Sequence, residues 1–293
     1  MFNKALICME SGSHSPELAT CVSGLLNLGI RECLVTQFLT YNEAIAASVS
    51  IAEGELQQYV EGLRQQLQEA GFTAEAKTVS GISHREAYRL AQEHGCDLVV
   101  VECRYDTIAG EIFAGGIAAS VVHHQTLPTL LVRMDVPDAK GGKCVPGKPC
   151  DFTRHALFPT DFSENADLAF ASLEELATHG LKRVTLVHVQ DKVRIEPHLR
   201  EKLDEFSAID TERLKALEER LRIKGVTTVE TRLSYGNPTV EILNAVRDTD
   251  PSLVVMGSQG RGFVTELFQG SVSHNMVRLS HVPLLLIPLP RHK

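Results

Sequence analysis

Three glycines and two serines in the C-terminal part of the sequence have the spacing of a backbone site for phosphate groups. Two residues separate the first and second glycines, nine separate the second and third, and a serine follows directly. Glycine lets backbone amides approach an anion without a Cβ in the way, and a helix that begins there adds unpaired N–H groups. The spacing therefore predicts an anion site that contains Gly257, Gly260, Gly270, Ser271 and Ser273.

Two commoner nucleotide-binding motifs do not match. The sequence lacks G-x-x-x-x-G-K-[ST], which argues against a P-loop NTPase. The segment Gly260–Thr265 misses the third small position of G-x-G-x-x-G and follows the fourth strand of its half rather than the first. These departures argue against a dinucleotide-dependent dehydrogenase.

The elements that must position these residues alternate along the chain between short apolar runs and helical segments. Alternation of this kind predicts parallel sheets with right-handed crossovers. The second half is expected to have strands near 155–159, 183–189, 226–234, 252–256 and 284–288 and helices near 163–179, 196–223, 238–248 and 271–280. The predicted fold class is α/β, with two tandem Rossmann-like or flavodoxin-like sandwiches, each with a five-stranded parallel sheet.

An internal repeat supports two domains. Gly81–Val132 aligns without a gap over Gly236–Ile287, and both segments contain a buried-strand pattern of the Leu-Val-Val type. Between the halves, a stretch rich in Pro and Gly has the composition of a linker. We expect one domain over residues 1–134, a linker over 135–150 and a second domain over 151–293.

Four ordered motifs of the second half resemble the universal stress protein family. They are Leu157–Ser163 at the first strand, Leu186–Val189 at the second, Gly236–Pro238 before the third helix, and the loop G-x2-G-x9-G-[ST] that begins at Gly257. The resemblance is strong over about residues 155–288 and weak over about 4–133. It implies an ATP site in the second domain, with Mg²⁺ or Mn²⁺ as alternative companions of the phosphates.

The resemblance also assigns roles to residues. Asp161 would meet the adenine or the ribose, Val189 would offer its backbone to the base, and Gly257 would lie by the ribose. The loop glycines and the start of the last helix would surround the phosphates. The complete candidate site is Pro159, Thr160, Asp161, Val189, Met256, Gly257, Gly260, Gly270, Ser271, Val272 and Ser273.

The first half departs from the family pattern at four of these positions. Glu10, Glu102, Tyr105 and Gly116 occupy the positions that Asp161, Gly257, Gly260 and Ser271 have in the second half. A carboxylate and an aromatic ring at this place oppose a triphosphate. We therefore expect a degenerate nucleotide site in the first domain and one ATP per chain.

Composition limits the cellular context. The formal net charge is −8, and no basic face indicates nucleic-acid binding. No apolar run reaches the length of a membrane span, and no signal peptide is evident. The cysteines fit no disulfide framework: Cys21 is expected to be a small buried hydrophobe, and Cys144 and Cys150 are expected to be linker bystanders. These features predict a cytoplasmic location.

Three functions are compatible with the sequence. The first is a stress-response protein in which bound ATP acts as a regulatory switch that an unknown protein partner reads. The second is slow ATP hydrolysis or autophosphorylation at the same site, and the third is a scaffold without a nucleotide. The resemblance also implies pairing of the last strands, Thr129–Val132 and Leu284–Ile287, as an intramolecular pseudo-dimer, with a further homodimer left open.

Overall fold

The computed structural model describes residues 2–10, 16–39, 52–80, 84–104, 121–122, 124–134, 150–195, 200–259 and 271–290. The chain divides into two compact units, of which the first ends at Cys150 and the second begins at Asp151.

The first unit is an α/β fold with a parallel sheet. Its strands are β1 (Lys4–Glu10), β2 (Glu32–Leu39), β3 (Thr73–Ser80), β4 (Leu98–Arg104) and β5 (Thr129–Met134). The helices are α1 (Pro16–Val22), which continues into a 3-10 segment at Ser23–Leu28, α2 (Ala52–Glu69) and α3 (His84–Glu93). The strand order is β3-β2-β1-β4-β5, and each of these neighbouring pairs is parallel.

The second unit repeats this arrangement. Its strands are β6 (Ala156–Thr160), β7 (Arg183–Asp191), β8 (Thr228–Gly236), β9 (Leu253–Gly257) and β10 (Leu284–Ile287). Its helices are α4 (Glu164–Thr178), α5 (Lys192–Ile195), α6 (Leu203–Ile223), α7 (Pro238–Thr249) and α8 (Ser271–Leu279). The order β10-β9-β6-β7-β8 is again parallel throughout, which confirms the predicted fold class.

The central strands form the core of each sheet. Leu98–Val101 in β4 and Leu253–Val255 in β9 have no exposed surface, as continuous apolar runs in a two-sided parallel sheet require. Helices cover the sheets, and their starts are encoded locally. Ser163 accepts a hydrogen bond from the Ala166 amide at the start of α4, and Asn237 accepts one from the Val240 amide at the start of α7.

The predicted helix over 196–223 is shorter in the structure. Residues 196–199 lie outside the described part of the chain, and the long helix α6 begins at Leu203. The short helix α5 directly follows β7, because the Asp191 carboxylate accepts a hydrogen bond from the Val193 amide at 3.0 Å. None of the helices described above combines the length and apolarity that crossing a bilayer requires.

A disulfide corrects two expectations about cysteine. Cys21, in α1, is bonded to Cys150, 129 residues later in the sequence, with 4.7 Å between their Cα atoms. The expectation that Cys21 is a single free thiol and that Cys150 is a bystander is therefore wrong. The spacing gave no signal, because only the folding of the whole first unit brings the two residues together. Cys144 lies outside the described residues.

Because Gly24 has no Cβ, the backbone of Cys150 can lie directly against it. A Cβ built on Gly24 would lie 1.8 Å from the Cys150 carbonyl oxygen, far inside van der Waals contact. The backbone of residue 150 thus lies directly against the 3-10 segment, and the Cys150 amide donates to the Cys21 carbonyl at 3.4 Å.

This contact predicts opposite effects for two glycine substitutions. Gly24→Ala should destabilise the protein by about 1–3 kcal/mol, because the added methyl group forces residue 150 away. Gly62→Ala is the matched control: it lies in α2 with nothing within 4 Å of the new Cβ, and should stabilise by about 0.5–1 kcal/mol. Urea unfolding without reductant measures both, and a neutral Gly24→Ala would show that residue 150 does not lie on Gly24.

Candidate functional site

A cavity of about 970 Å³ lies at the carboxyl ends of the strands in the second unit. Open parallel sheets bind their ligands at this edge, and the volume is in the upper part of the range for small-molecule sites. Its walls come from the ends of β6, β7 and β9, from α5 and α6 on one side, and from the starts of α7 and α8 on the other.

Nine of the eleven candidate site residues line this cavity. They are Pro159, Thr160, Asp161, Val189, Met256, Gly257, Ser271, Val272 and Ser273. The remaining two, Gly260 and Gly270, lie outside the described residues. The fold therefore brings together residues that are up to 114 positions apart in sequence, from Pro159 to Ser273.

The turn after β9 is fixed by a buried side chain that the sequence analysis missed. The Asn165 amide nitrogen donates to the Ile287 carbonyl at 2.9 Å, and its oxygen accepts from the Gln259 amide at 2.8 Å. A Cβ on Gly257 would lie 2.6 Å from the same oxygen. Gly257 thus leaves the space that the Asn165 side chain fills. The signal in the sequence was slight: an asparagine two residues after the Ser163 helix cap.

The start of α8 forms the polar end of the cavity. Ser271 is exposed at the first residue of the helix. Ser273 is buried, and its hydroxyl donates to the Ser258 carbonyl at 2.6 Å, so it ties the helix to the turn after β9. Helix amides, the Ser271 hydroxyl and the side chains of Gln259 and Asn275 therefore meet at this end. Such neutral donors suit an anion.

Asp161 and Phe162 form a tight turn at the end of β6. The Asp161 carboxylate accepts from the Ser163 amide at 3.1 Å, and the Thr160 hydroxyl accepts from the Phe162 amide at 3.0 Å.

Phe162 adopts a left-handed backbone with φ of 55°, which is uncommon for a bulky residue. Such strain persists only where surrounding contacts hold it. Here the Arg213 guanidinium lies 4.3 Å above the Phe162 ring, and the His188 ring is 4.6 Å away.

A polar cluster around Asp210 forms the wall beside this turn. His188 Nδ1 is 2.7 Å from the Thr160 carbonyl, so that nitrogen carries a proton and donates it. His188 Nε2 lies 3.4 Å from the Asp210 carboxylate, which accepts a hydrogen bond from Gln190 at 3.0 Å. Neither His188 nor Asp210 is among the site residues expected from the sequence. The helical spacing of Phe206, Asp210 and Arg213 is the signal that could have shown one α6 face turned to the cavity.

The backbone of β7 also forms part of the cavity wall. The ladder between β6 and β7 ends at Thr160–His188, whereas the ladder between β7 and β8 continues to Asp191–Gly236. The edge of Val189–Asp191 on the β6 side therefore extends past its neighbour, and these three residues line the cavity. A strand edge carries alternating donors and acceptors, which can pair with the edge of a heteroaromatic ring.

Charged residues are concentrated on the α5 and α6 wall. Two arginines are among the described lining residues. Arg194 lies 3.4 Å from Asp191, and Arg213 lies 3.9 Å from Asp210. The His188 side chain is part of the same wall. In the described part of the α8 end, the lining side chains are neutral. Among the described residues, the cavity thus has one end with charged and aromatic side chains and another end with neutral hydrogen-bonding groups.

The double role of Asn165 leads to a prediction. Asn165→Ala should lower the free energy of unfolding by about 1–3 kcal/mol, because it leaves the Gln259 amide without its buried partner and removes one of the two donors to the Ile287 carbonyl, which keeps the Ser258 amide. Asn244→Ala is the control, since the hydrogen bond that Asn244 accepts from Arg247 lies on the surface, and it should cost less than about 0.5 kcal/mol. Thermal unfolding compares the two, and equal losses would contradict the role given to Asn165.

Comparison with known proteins matches both units to one family. The model of the universal stress protein family matches residues 28–133 and 153–288. A universal stress protein of Methanocaldococcus jannaschii is 28% identical over 153 residues, which cover 45% of this chain and 92% of that protein. One from Mycolicibacterium smegmatis is 26% identical over 194 residues, 65% of this chain and 61% of that protein.

A solved structure agrees with the whole fold. The crystal structure of a universal stress protein from Archaeoglobus fulgidus superposes with a TM-score of 0.75 at 20% identity and covers 98% of this chain and 99% of that one. At an identity of 20%, this structural similarity shows the fold of the chain and nothing beyond the fold. Together with the two family matches, it shows that the chain is a tandem member of the universal stress protein family.

Proposed function

We propose that the second unit binds an adenine nucleotide, ATP, and that the bound nucleotide acts as a regulatory switch in a stress response. One observation carries the proposal: a single cavity joins the strand ends at Asp161 and Val189 to the first turn of α8. In this arrangement the adenine lies against the β7 edge and the triphosphate lies at the helix start, with Mg²⁺ or Mn²⁺ as its companion.

The neutral character of the α8 end favours binding over fast catalysis. Rapid phosphoryl transfer needs cations to stabilise the charge that develops on the phosphate oxygens. The described residues at this end supply amides, hydroxyls and carboxamides instead. Arg261 belongs to the loop of the motif and lies outside the described residues. We therefore propose a binding protein whose partner reads the nucleotide state.

The first unit supports a single site per chain. At the position of Gly257 it has Glu102, and β4 does not end there but continues to Arg104, paired with β5 up to Met134. The backbone of Cys103 and Arg104 is thus paired with β5, whereas at the corresponding positions of the second unit the Ser258 amide donates to Ile287 and the Gln259 amide donates to Asn165. Tyr105, Gly116 and the side chain of Glu10 lie outside the described residues.

A negatively charged residue at the start of α8 should lower the affinity for ATP without lowering the stability of the fold. Ser271→Asp should weaken ATP binding at least about fivefold, because a carboxylate close to the phosphates costs about 1 kcal/mol or more. The same carboxylate should leave the fold intact or stabilise it slightly, since it lies at a helix N-terminus. Calorimetric titration with ATP and thermal unfolding measure the two effects.

Ala171→Asp is the matched control for this substitution. It adds the same charge at an exposed position of α4 outside the cavity, and its ATP affinity should equal that of the wild type. If Ser271→Asp also bound ATP with unchanged affinity, the phosphates would not lie at α8.

The stoichiometry gives a further prediction. Titration of the full chain with ATP should give one site, because Glu102 and the continued strand β4 oppose a second. Mass spectrometry of any ligand released from the purified protein should identify the same nucleotide. Two equivalent sites per chain, or a released ligand that is not a nucleotide, would contradict the proposal.

A further inference from the structure

The side chain of His188 contacts both residues that flank Asp161. Its Nδ1 donates to the Thr160 carbonyl at 2.7 Å, and its ring centre lies 4.6 Å from that of Phe162. Asp161 lies between these two contacts in the sequence and lines the cavity. A buried side chain of β7 therefore fixes the backbone on either side of a candidate ligand-binding residue at the end of β6.

The conformation of Phe162 makes this turn dependent on contacts from other elements. Its φ of 55° is unfavourable for a bulky side chain, and such a conformation persists only where its surroundings hold it. The Arg213 guanidinium lies 4.3 Å from the ring centre of Phe162, but the Arg213 side chain is 47% exposed. The side chain of His188 is 9% exposed. Of these two contacts, the one with His188 is therefore the more closely packed.

Helix α6 orients the His188 ring from the other side. The Asp210 carboxylate lies 3.4 Å from His188 Nε2 and accepts a hydrogen bond from Gln190 at 3.0 Å. The Gln190 carboxamide oxygen in turn accepts from the Ser207 hydroxyl of α6 at 3.3 Å. Because each ring nitrogen of His188 faces a different polar group, one orientation of the ring is favoured over its flipped form.

The corresponding position of the first unit does not make this contact. Gln37 pairs with Met9 in the ladder between β1 and β2, as His188 pairs with Thr160 in the ladder between β6 and β7. Gln37 has no exposed surface, and neither atom of its carboxamide has a hydrogen-bond partner among the described residues. A glutamine is thus accommodated at this position of the fold without a hydrogen bond to the end of the neighbouring strand.

We propose that His188 is a positioning residue for the nucleotide site. By its hydrogen bond to the Thr160 carbonyl it fixes the turn that places Asp161 at the cavity, and Asp210 orients the His188 ring for that bond. The inference rests on the proposed function, because it gives His188 an effect on ATP binding that passes through Asp161.

Two carboxamide substitutions of different reach test this role. An asparagine at position 188 ends near the place of Nδ1 and keeps a donor there, whereas a glutamine extends to the place of Nε2. His188→Gln should weaken ATP binding about tenfold, the usual loss when a hydrogen bond of a charged group is misplaced, and His188→Asn should weaken it less than about threefold. Calorimetric titration of the full chain measures both. A merely structural role predicts the reverse order, because asparagine fills less of the space that His188 occupies.

His179→Gln is the matched control. His179 Nδ1 also faces a backbone carbonyl, that of Glu175 at 3.0 Å, but His179 follows the end of α4 and does not line the cavity. Its ATP affinity should equal that of the wild type. Thermal unfolding of each variant shows that the titrated protein is folded.

A double-mutant cycle tests whether the effect of His188 passes through Asp161. Asp161→Ala alone should weaken ATP binding about tenfold, because it removes a hydrogen bond from a charged group. In the Asp161→Ala background, His188→Gln should change the affinity less than about twofold, whereas independent contacts would give additive free energies.

The outcomes separate this inference from the proposed function. Absence of ATP binding by the wild type would contradict the proposed function itself. If the wild type binds ATP, the positioning role alone is overturned by unchanged affinity in His188→Gln or in Asp161→Ala, or by a loss in His188→Asn that equals or exceeds the loss in His188→Gln. It is also overturned if His188→Gln still costs tenfold in the Asp161→Ala background, since His188 would then contact ATP directly.

Discussion

The carboxamide of Asn165 is the contact on which the candidate site depends. It donates to the last residue of β10 and accepts from the turn after β9, so one side chain in the first turn of α4 fixes three elements. The contact exists because Gly257 has no Cβ. A glycine that the motif assigns to ligand binding therefore also has a packing role, and the two roles come from one geometry. A side chain at this position would displace both the amide and the turn that faces the cavity.

Local signals explain why the fold could be predicted. The apolar runs in β4 and β9 and the caps at Ser163 and Asn237 act over a few residues, and each is visible in the sequence. The cavity positions of Asp161, Val189 and Ser271 followed from motifs at strand ends and helix starts. Because parallel strands place their carboxyl ends at one edge, motifs that are far apart in the chain meet there.

Long-range pairs explain what the sequence did not reveal. Asp210 meets His188 only when α6 packs beside β7, and the helical spacing that places Asp210 on one face of α6 does not tell which strand residue that face meets. Cys21 and Cys150 meet only when the first unit has folded. Phe162 has a left-handed backbone because Thr160, His188 and Arg213 hold it, and no propensity of phenylalanine suggests that conformation. Each of these features depends on tertiary contacts rather than on neighbours in sequence.

The two units differ at the end of the fourth strand. Both sheets have the same strand order, so the frame itself does not decide the difference. In the second unit β9 stops at Gly257, and the next residues turn under the Asn165 side chain toward the cavity. In the first unit Glu102 continues the strand, and the backbone of Cys103 and Arg104 pairs with β5. The Ser258 and Gln259 amides of the second unit are engaged as well, with the Ile287 carbonyl and the Asn165 side chain. The units therefore differ in the partners of these backbone groups: a continued strand in the first unit, and the end of β10 together with a side chain of α4 in the second.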